Sequence, residues 1–444
     1  MHELSHEFTS RKVSPWGGIK YFHKTYQHIG LQEYLSSLDL PEPGSNRGYN
    51  PVDIIEGFMV SVVLGSRRLA HTSVLRMDEV IKEIFGWQKG MGSASTFSRF
   101  FKKFTVERNN SVFPSLMKFW FDQMSIKKMT VDIDSTVIPR YGKQELVAKG
   151  YNPQKRGRGS HHPLIAFNDE MKMVINAWMR SGDSNSGTDA IEFLQETFSI
   201  VGRARIDLLR GDVGFYSQHI FNMLEEEDEN PVSYIIRARM TRRLLRQIIE
   251  LDGWHANDTV VRGACYNELQ YQGQEWKKAR RIIVVRTPKK NEEQGGSHLL
   301  FKQDEDLDRY EYKAYTTNTD YSAVRVHQSY NQRADSENRI KELKYDYGID
   351  GFALHSFGAM EAAFRFIMIA YNIMSLFRQK VMVSRIGHRL STIKFQCIAI
   401  GSYLVKNGRN KKLKLSAEGK RKHFLEHFFS NLELLHPPFE FSNA

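Results

Sequence analysis

From Lys128 onward the chain turns to strict alternation: Met129, Val131 and Ile133 alternate with Thr130, Asp132 and Asp134. The run predicts a strand with one buried face and two acids on the other. His162 to Phe167 and Met171 to Met179 read as the next two strands, Thr188 to Val201 as a helix, and Arg205 to Leu209 as a fourth strand. Three strands, a helix and a strand in that order leave few ways to build one sheet. Asp212, in Arg210-Gly211-Asp212-Val213-Gly214-Phe215, comes after the fourth strand.

Farther along, Tyr330, Arg333, Glu337 and Lys344 fall at offsets of 0, 3, 7 and 14. On a continuous helix these offsets fit within an arc of about 60° and a stripe about 20 Å long. Lys341 falls on the same face, about 20° away. A tyrosine, an arginine and lysines around one carboxylate suit a phosphodiester held beside a metal-binding acid. The bland reading is a solvated helix face.

Phosphodiester hydrolysis by two metal ions needs carboxylates that converge from separate elements and hold the ions about 4 Å apart. Asp134, Asp212 and Glu337 are the candidate catalytic and metal-binding residues. Strand geometry alone does not separate Asp132 from Asp134, since both lie on one face. For Asp212 the competing reading is a turn aspartate capping the next helix. The loop Gln154 to His162 adds Lys155, Arg156 and Arg158 as a second candidate phosphate cradle, with a solvated hairpin loop as its alternative. His161 and His162 point to opposite strand faces and cannot readily share an ion.

The Tyr330-x2-Arg333-x3-Glu337-x6-Lys344 pattern, preceded in order by Asp134 and Asp212, resembles the helix signature of DDE transposases from bacterial insertion sequences. Asp132-Ile133-Asp134-Ser135, Lys149-Gly150-Tyr151-Asn152-Pro153 and Glu337-Asn338-x-Ile340-Lys341-Glu342 resemble the IS-thirteen-eighty group over about residues 50 to 400. The resemblance favours Asp134 over Asp132, because the catalytic aspartate sits two residues before a threonine, here Thr136. It implies an α/β fold with an RNase H-like catalytic core, interrupted by a β-rich insertion and flanked by helical N- and C-terminal regions. It also implies two Mg2+ ions per site with Mn2+ as substitute, and phosphate contacts from Tyr330, Arg333 and Lys344. The implied partners are double-stranded DNA with terminal inverted repeats and target DNA, bound by a homodimer. Hairpin-forming relatives have a tryptophan where this chain has Tyr312; Trp254 and Trp276 also fall in the insertion.

Composition agrees with a polyanionic partner: 63 Lys+Arg against 51 Asp+Glu give a net charge of +12. Two cysteines, Cys265 and Cys397, support neither a disulfide scaffold nor a zinc site. The N-terminus lacks the apolar core of a signal peptide, so a cytoplasmic, bacterial setting without membrane contact is expected. The divisions expected are a helical DNA-binding region at 1–125, core at 126–230, insertion at 231–318, core with the signature helix at 319–382, and a basic helical tail at 383–444. Thr72 to Phe85 reads as one helix, and Ser93 to Thr96 as offering the N-cap of a short helix over Phe97 to Phe104 that is either a DNA reader or a packing element. The acidic run Glu225 to Glu229 reads as a solvated face, and Asn291 to Ser297 as a flexible loop. Competing functions are a non-catalytic, domesticated DNA-binding protein, a simple nuclease, and a tyrosine recombinase using Tyr330.

Overall fold

The computed structural model describes residues 4–153, 155–226, 230–289, 309–382, 388–408 and 410–441. Asn291 to Ser297 lies outside them. The alternating run becomes the strand Met129–Ser135, at the heart of a mixed sheet of nine strands among the described residues. Leu164–Asn168 and Met173–Trp178 extend the sheet antiparallel on one side. Ile206–Gly211 lies parallel on the other, and Ser233–Arg237 lies parallel beyond it.

Ser233–Arg237 corrects the expected boundary, since it belongs to this central sheet rather than to a separate insertion. Tyr310–Thr317 pairs antiparallel with it, and Arg280–Pro288, Cys265–Tyr271 and His255–Ala256 continue outward as a meander. The β-rich segment thus extends the sheet edge. Period-2 alternation covers both of its faces: Ile283 and Val285 pack with Tyr266, Tyr315 and Val326, while Ile282 and Val284 pack with Leu244 and Ile248.

The opposite sheet edge is closed by the helix Phe357–Leu376, which is buried along almost its whole length. Asn372 explains the docking: its side chain accepts from the Val174 N–H and donates to the Val174 carbonyl, both at 2.8 Å. One buried amide thus satisfies both backbone groups of Val174 on the edge strand. With its extension to Val381, this helix is long and apolar enough to cross a membrane, yet it lies wholly inside the fold.

The N-terminal helices, among them Pro51–Val63, Ala94–Phe101 and Val106–Asp122, share one continuous hydrophobic core with the sheet and this helix. Phe58 packs edge-on against Phe101 and Phe352 at centroid distances of 4.8 and 5.0 Å. Ser93 caps its helix through the Thr96 N–H, and Phe97, Phe100 and Phe101 turn inward. The expected helix over Thr72 to Phe85 is two, Thr72–Leu75 and Glu79–Phe85, because Asp78 leaves the helical conformation and caps the second through the Val80 and Ile81 N–H groups.

The C-terminal region departs from an all-helical tail. Ser402–Asn407 and Asn410–Leu415 form a hairpin that also takes in Val13–Ser14, ahead of the helix Gly419–Glu433. Asn407 pairs with Asn410, and Gly408, at φ +61°, supplies the left-handed conformation at the first turn position. Glu225 likewise differs from the solvated reading: it bonds Arg280 and the Tyr234 hydroxyl and pairs with Lys278.

Candidate active site

The parallel register pairs Asp132 with Arg210 and Ile133 with Gly211. One step on, Asp134 and Asp212 emerge side by side from the C-terminal ends of adjacent strands, where α/β sheets form their clefts. Asp212 takes up the turn position of its competing reading and also faces the cavity. It caps the turn Val213–Phe215 by accepting from the Gly214 N–H at 2.9 Å, and it lines the same cavity as Asp134. Gly214 is needed for that close turn, since a Cβ there would meet Ser186 Cβ at 2.4 Å.

The cavity, about 560 Å3, also collects Tyr330, Arg333, Glu337, Lys341 and Lys344. Seven of the ten candidate residues therefore share one site. Lys155, Arg156 and Arg158 are exposed and do not line it; Lys155 and Arg158 instead lie over the Tyr141 ring at 5.0 and 4.7 Å. His161 and His162 have separate partners, Arg140 and the Glu145 carbonyl for one, Ser135 and the Ser184 carbonyl for the other.

The signature stripe does not lie on one continuous helix. Ala323–Gln332 and Ala334–Tyr345 are separate helices joined at Arg333. The Arg333 N–H bonds the Tyr330 carbonyl at 3.0 Å, and the Ser336 N–H bonds the Arg333 carbonyl at 2.9 Å, so the joint is tighter than an α-turn. Tyr330 is carried on the first helix, and its ring packs 4.6 Å from that of Tyr315. Burial raises its phenol pKa, an unpromising state for a nucleophile.

Arg333 is 6% exposed, and its guanidinium lies 3.1 Å from Asp134 and donates to the Ile133 carbonyl at 3.2 Å. It is thus a counter-ion to Asp134 rather than an exposed phosphate clamp, and its Nε is buried without a partner. Burial opposes its charge most strongly of any single influence, but Asp134, Tyr330, Asp212 and Asp132 together overcome it and raise its pKa. Burial pushes the Asp134 carboxyl up to about 6; Arg333 opposes that rise, while Asp212 and Glu337 add to it as like charges. Burial lowers the Lys344 pKa, with Asp350 and Asp134 working against it.

Among the described residues, no group of three or more His, Cys, Asp or Glu side chains stands at ion-holding spacing. The donor set nonetheless has the chemistry of a divalent-cation site. It consists of oxygen ligands only, and the three acids are close enough for Asp212 and Glu337 to raise the Asp134 pKa even with Arg333 in contact.

Among the further residues that line the cavity, Arg237, Lys313 and Tyr315 come from strands that sequence reasoning did not connect with it. Alternation along Tyr310–Thr317 puts Lys313 and Tyr315 on one face. Only the cross-strand register, Arg237 opposite Tyr315, brings them to the acids. Trp276 instead packs among Tyr216, Phe221 and Tyr271, and Tyr312 lies near Trp254; neither lines the cavity.

Behind the cavity, Arg210 is 1% exposed and grips Asp132 at 2.6 and 2.8 Å, with Asp169 at 2.9 Å. Its third contact is the Ser329 carbonyl at 2.7 Å, on the Tyr330 helix. Arg339, on the Glu337 helix, bonds the Asn168 carbonyl at 2.9 Å and pairs with Asp169 and Asp335. One ionic cluster therefore fixes both helices, on either side of the Arg333 joint, to the strands that carry the aspartates.

A family model for the transposase DDE domain, group 1, matches residues 2–437. No curated protein matches the chain. Among solved structures, the cryo-EM structure of a piggyBac transposase synaptic complex with hairpin DNA is similar over 96% of this chain and 82% of that one, at 11% identity and a TM-score of 0.44. With nearly its whole length matched, and with acids on two adjacent strands and a helix lining one basic-rimmed cavity, the chain belongs to the group 1 DDE-domain transposases.

Proposed function

We propose that this transposase cuts insertion-sequence ends and joins them to target DNA, with Asp134, Asp212 and Glu337 as its catalytic carboxylates. The observation that carries the reading is the convergence of these acids, from positions far apart in the chain, in one cavity with Arg237, Lys313, Lys341 and Lys344. The order of the five central strands, with the first three antiparallel and the next two parallel, supports an RNase H-like core. The motifs around Asp134, Lys149 and Glu337 support a bacterial insertion-sequence origin in the IS-thirteen-eighty group, and with it a cytoplasmic setting.

Asp134, Asp212 and Glu337 would hold two Mg2+ ions, or Mn2+, which activate the attacking oxygen and stabilise the leaving 3′ oxygen when bound. Lys341 and Lys344 sit one helical turn apart on the Glu337 helix and hold the phosphate on either side of the cut. Arg333 neutralises Asp134 until the cations arrive, and the turn at Arg333 aims Glu337 back across the strand ends. Tyr330, braced by Tyr315, forms an apolar wall beside the reacting phosphate.

The substrate is double-stranded DNA with terminal inverted repeats, brought together by two copies of the chain. A plasmid carrying this reading frame within its native flanking DNA tests the reading. Incubation with protein and Mg2+ is expected to release a fragment with discrete ends and to insert it elsewhere. Ends cut without joining would favour a simple nuclease, and specific binding without cutting would favour the domesticated DNA-binding protein.

A further inference from the structure

Most buried arginines in this protein have an acidic partner; the arginines at the end of Ser233–Arg237 and on the helix after it do not. Arg237, Arg239, Arg242, Arg243 and Arg246 are all exposed, and none forms an ion pair or donates a side-chain hydrogen bond among the described residues. The helix Arg242–Ile249 explains their display. Thr241 caps it through the Leu244 N–H, and Leu244 and Ile248, one turn apart, are buried against Tyr271, Ile282 and Val284. With those leucine and isoleucine positions inward, Arg242, Arg243 and Arg246 at spacings of three and four fall together on the outward side.

The series also has a fixed starting point. Arg237 lines the acid cavity, and Arg239 lies two residues beyond it, a rise of about 7 Å along an extended chain. The helix arginines, Arg242 to Arg246, span a further rise of about 6 Å. The result is a short run of positive charge that begins at the cavity-lining Arg237. Planar guanidinium groups suit phosphate oxygens in particular. If these arginines served only solubility, nothing would require them to begin at the cavity or to lack acids between them.

We propose that Arg239, Arg242, Arg243 and Arg246 form a docking track for the phosphate backbone of duplex DNA flanking the cut, with Arg237 as its link to the cavity. The proposal rests on the DNA-cleaving function and adds a second contact region, on the meander side of the sheet. The track fixes position along the backbone and takes no part in bond breaking. Arg242→Ala, Arg243→Ala and Arg246→Ala leave the inward face of the helix untouched, and alanine keeps its helical propensity.

The test measures binding of end-bearing duplex DNA against salt concentration, without divalent cation, for wild type and for two triple variants. Alanine at all three positions is expected to lower the log–log salt slope by about three counterions and weaken binding by roughly 10- to 1,000-fold. Lysine at all three is expected to retain most of the slope. Once DNA is saturating, the single-turnover cleavage rate of the alanine variant should match wild type. An unchanged slope and affinity in the alanine variant, with wild type binding normally, would overturn the track while leaving the proposed function standing. Failure of wild type to bind DNA in a salt-dependent way would overturn both.

Discussion

Asp132 and Asp134 lie two residues apart on one strand, yet they inhabit opposite electrostatic regimes. Asp132 is fully buried and held bidentate by Arg210, which itself spans to Asp169 and to the backbone of the Tyr330 helix. Asp134 faces a cavity, meets Arg333 through a single 3.1 Å contact, and has two further carboxylates for neighbours. The first carboxylate is paired on both oxygens; the second is held up to about 6, first by burial and then by its like-charged neighbours Asp212 and Glu337, which Arg333 only partly offsets. The fully paired Asp132 holds structure, and the under-compensated Asp134, which lines the cavity, is the one we propose for chemistry. The two are connected, since the Asp132 cluster sets the helices that deliver Arg333 and Glu337 to Asp134.

The largest effects should fall on the under-compensated side. Asp212→Asn and Glu337→Gln are each expected to slow strand cleavage by at least about a thousandfold, or about 4 kcal/mol of barrier, with DNA binding retained. A single-turnover assay reads the rate, and wild-type-like cleavage by either variant would remove that residue from the site. On the compensated side, the loss should be in folding. Arg210→Ala strands Asp132 in the interior and is expected to cost about 3–5 kcal/mol of stability in denaturant unfolding. A change below about 1 kcal/mol would mean that the cluster does not hold the fold.

Smaller effects sharpen the contrast. Lys341→Ala and Lys344→Ala should each reduce the salt slope of DNA binding by about one counterion. Arg333→Ala should instead leave the salt slope nearly unchanged and lower the cleavage rate and stability, because it removes the cation in contact with Asp134 rather than an exposed phosphate contact. Glu56 extends the comparison to the N-terminal helices: it is 1% exposed, accepts from Trp87 Nε1 at 2.8 Å, and has no cationic partner among the described residues. Burial raises its pKa to about 7, above the ordinary 4.5. A raised carboxyl favours the folded state at low pH, and that contribution is lost as pH rises from about 4.5 through about 7. Glu56→Gln should therefore stabilise the protein by about 1–3 kcal/mol at pH 8 and have little effect near pH 4. An equal effect of Glu56→Gln at both pH values would show that folding does not raise the Glu56 pKa.

Much of this arrangement is legible in the chain, where local pattern and tertiary need agree. The alternation from Met129 to Ser135 marks the strand, and the spacing from Tyr330 to Lys344 gathers one side of the cavity. The joint at Arg333 leaves no such mark: no glycine or proline stands there, and the tight turn comes with the buried contacts of Arg333 to Asp134 and the Ile133 carbonyl. Arg237, Lys313 and Tyr315 carry no local signal because their approach depends on which strands pair, a long-range choice absent from any one segment. Ser233–Arg237 reads as part of an insertion for the same reason. The C-terminal hairpin, by contrast, carries a local signal in Gly408 that the density of lysines obscures.

The most direct test sets the two strand aspartates against each other in one cleavage assay on end-bearing DNA with Mg2+, using Asp134→Asn and Asp132→Asn proteins verified as folded. The expected result is no detectable cleavage by Asp134→Asn and residual cleavage by Asp132→Asn in proportion to its folded fraction. Cleavage by Asp134→Asn at the wild-type rate, or its survival there with loss in fully folded Asp132→Asn, would contradict the assignment of chemistry to the under-compensated carboxylate.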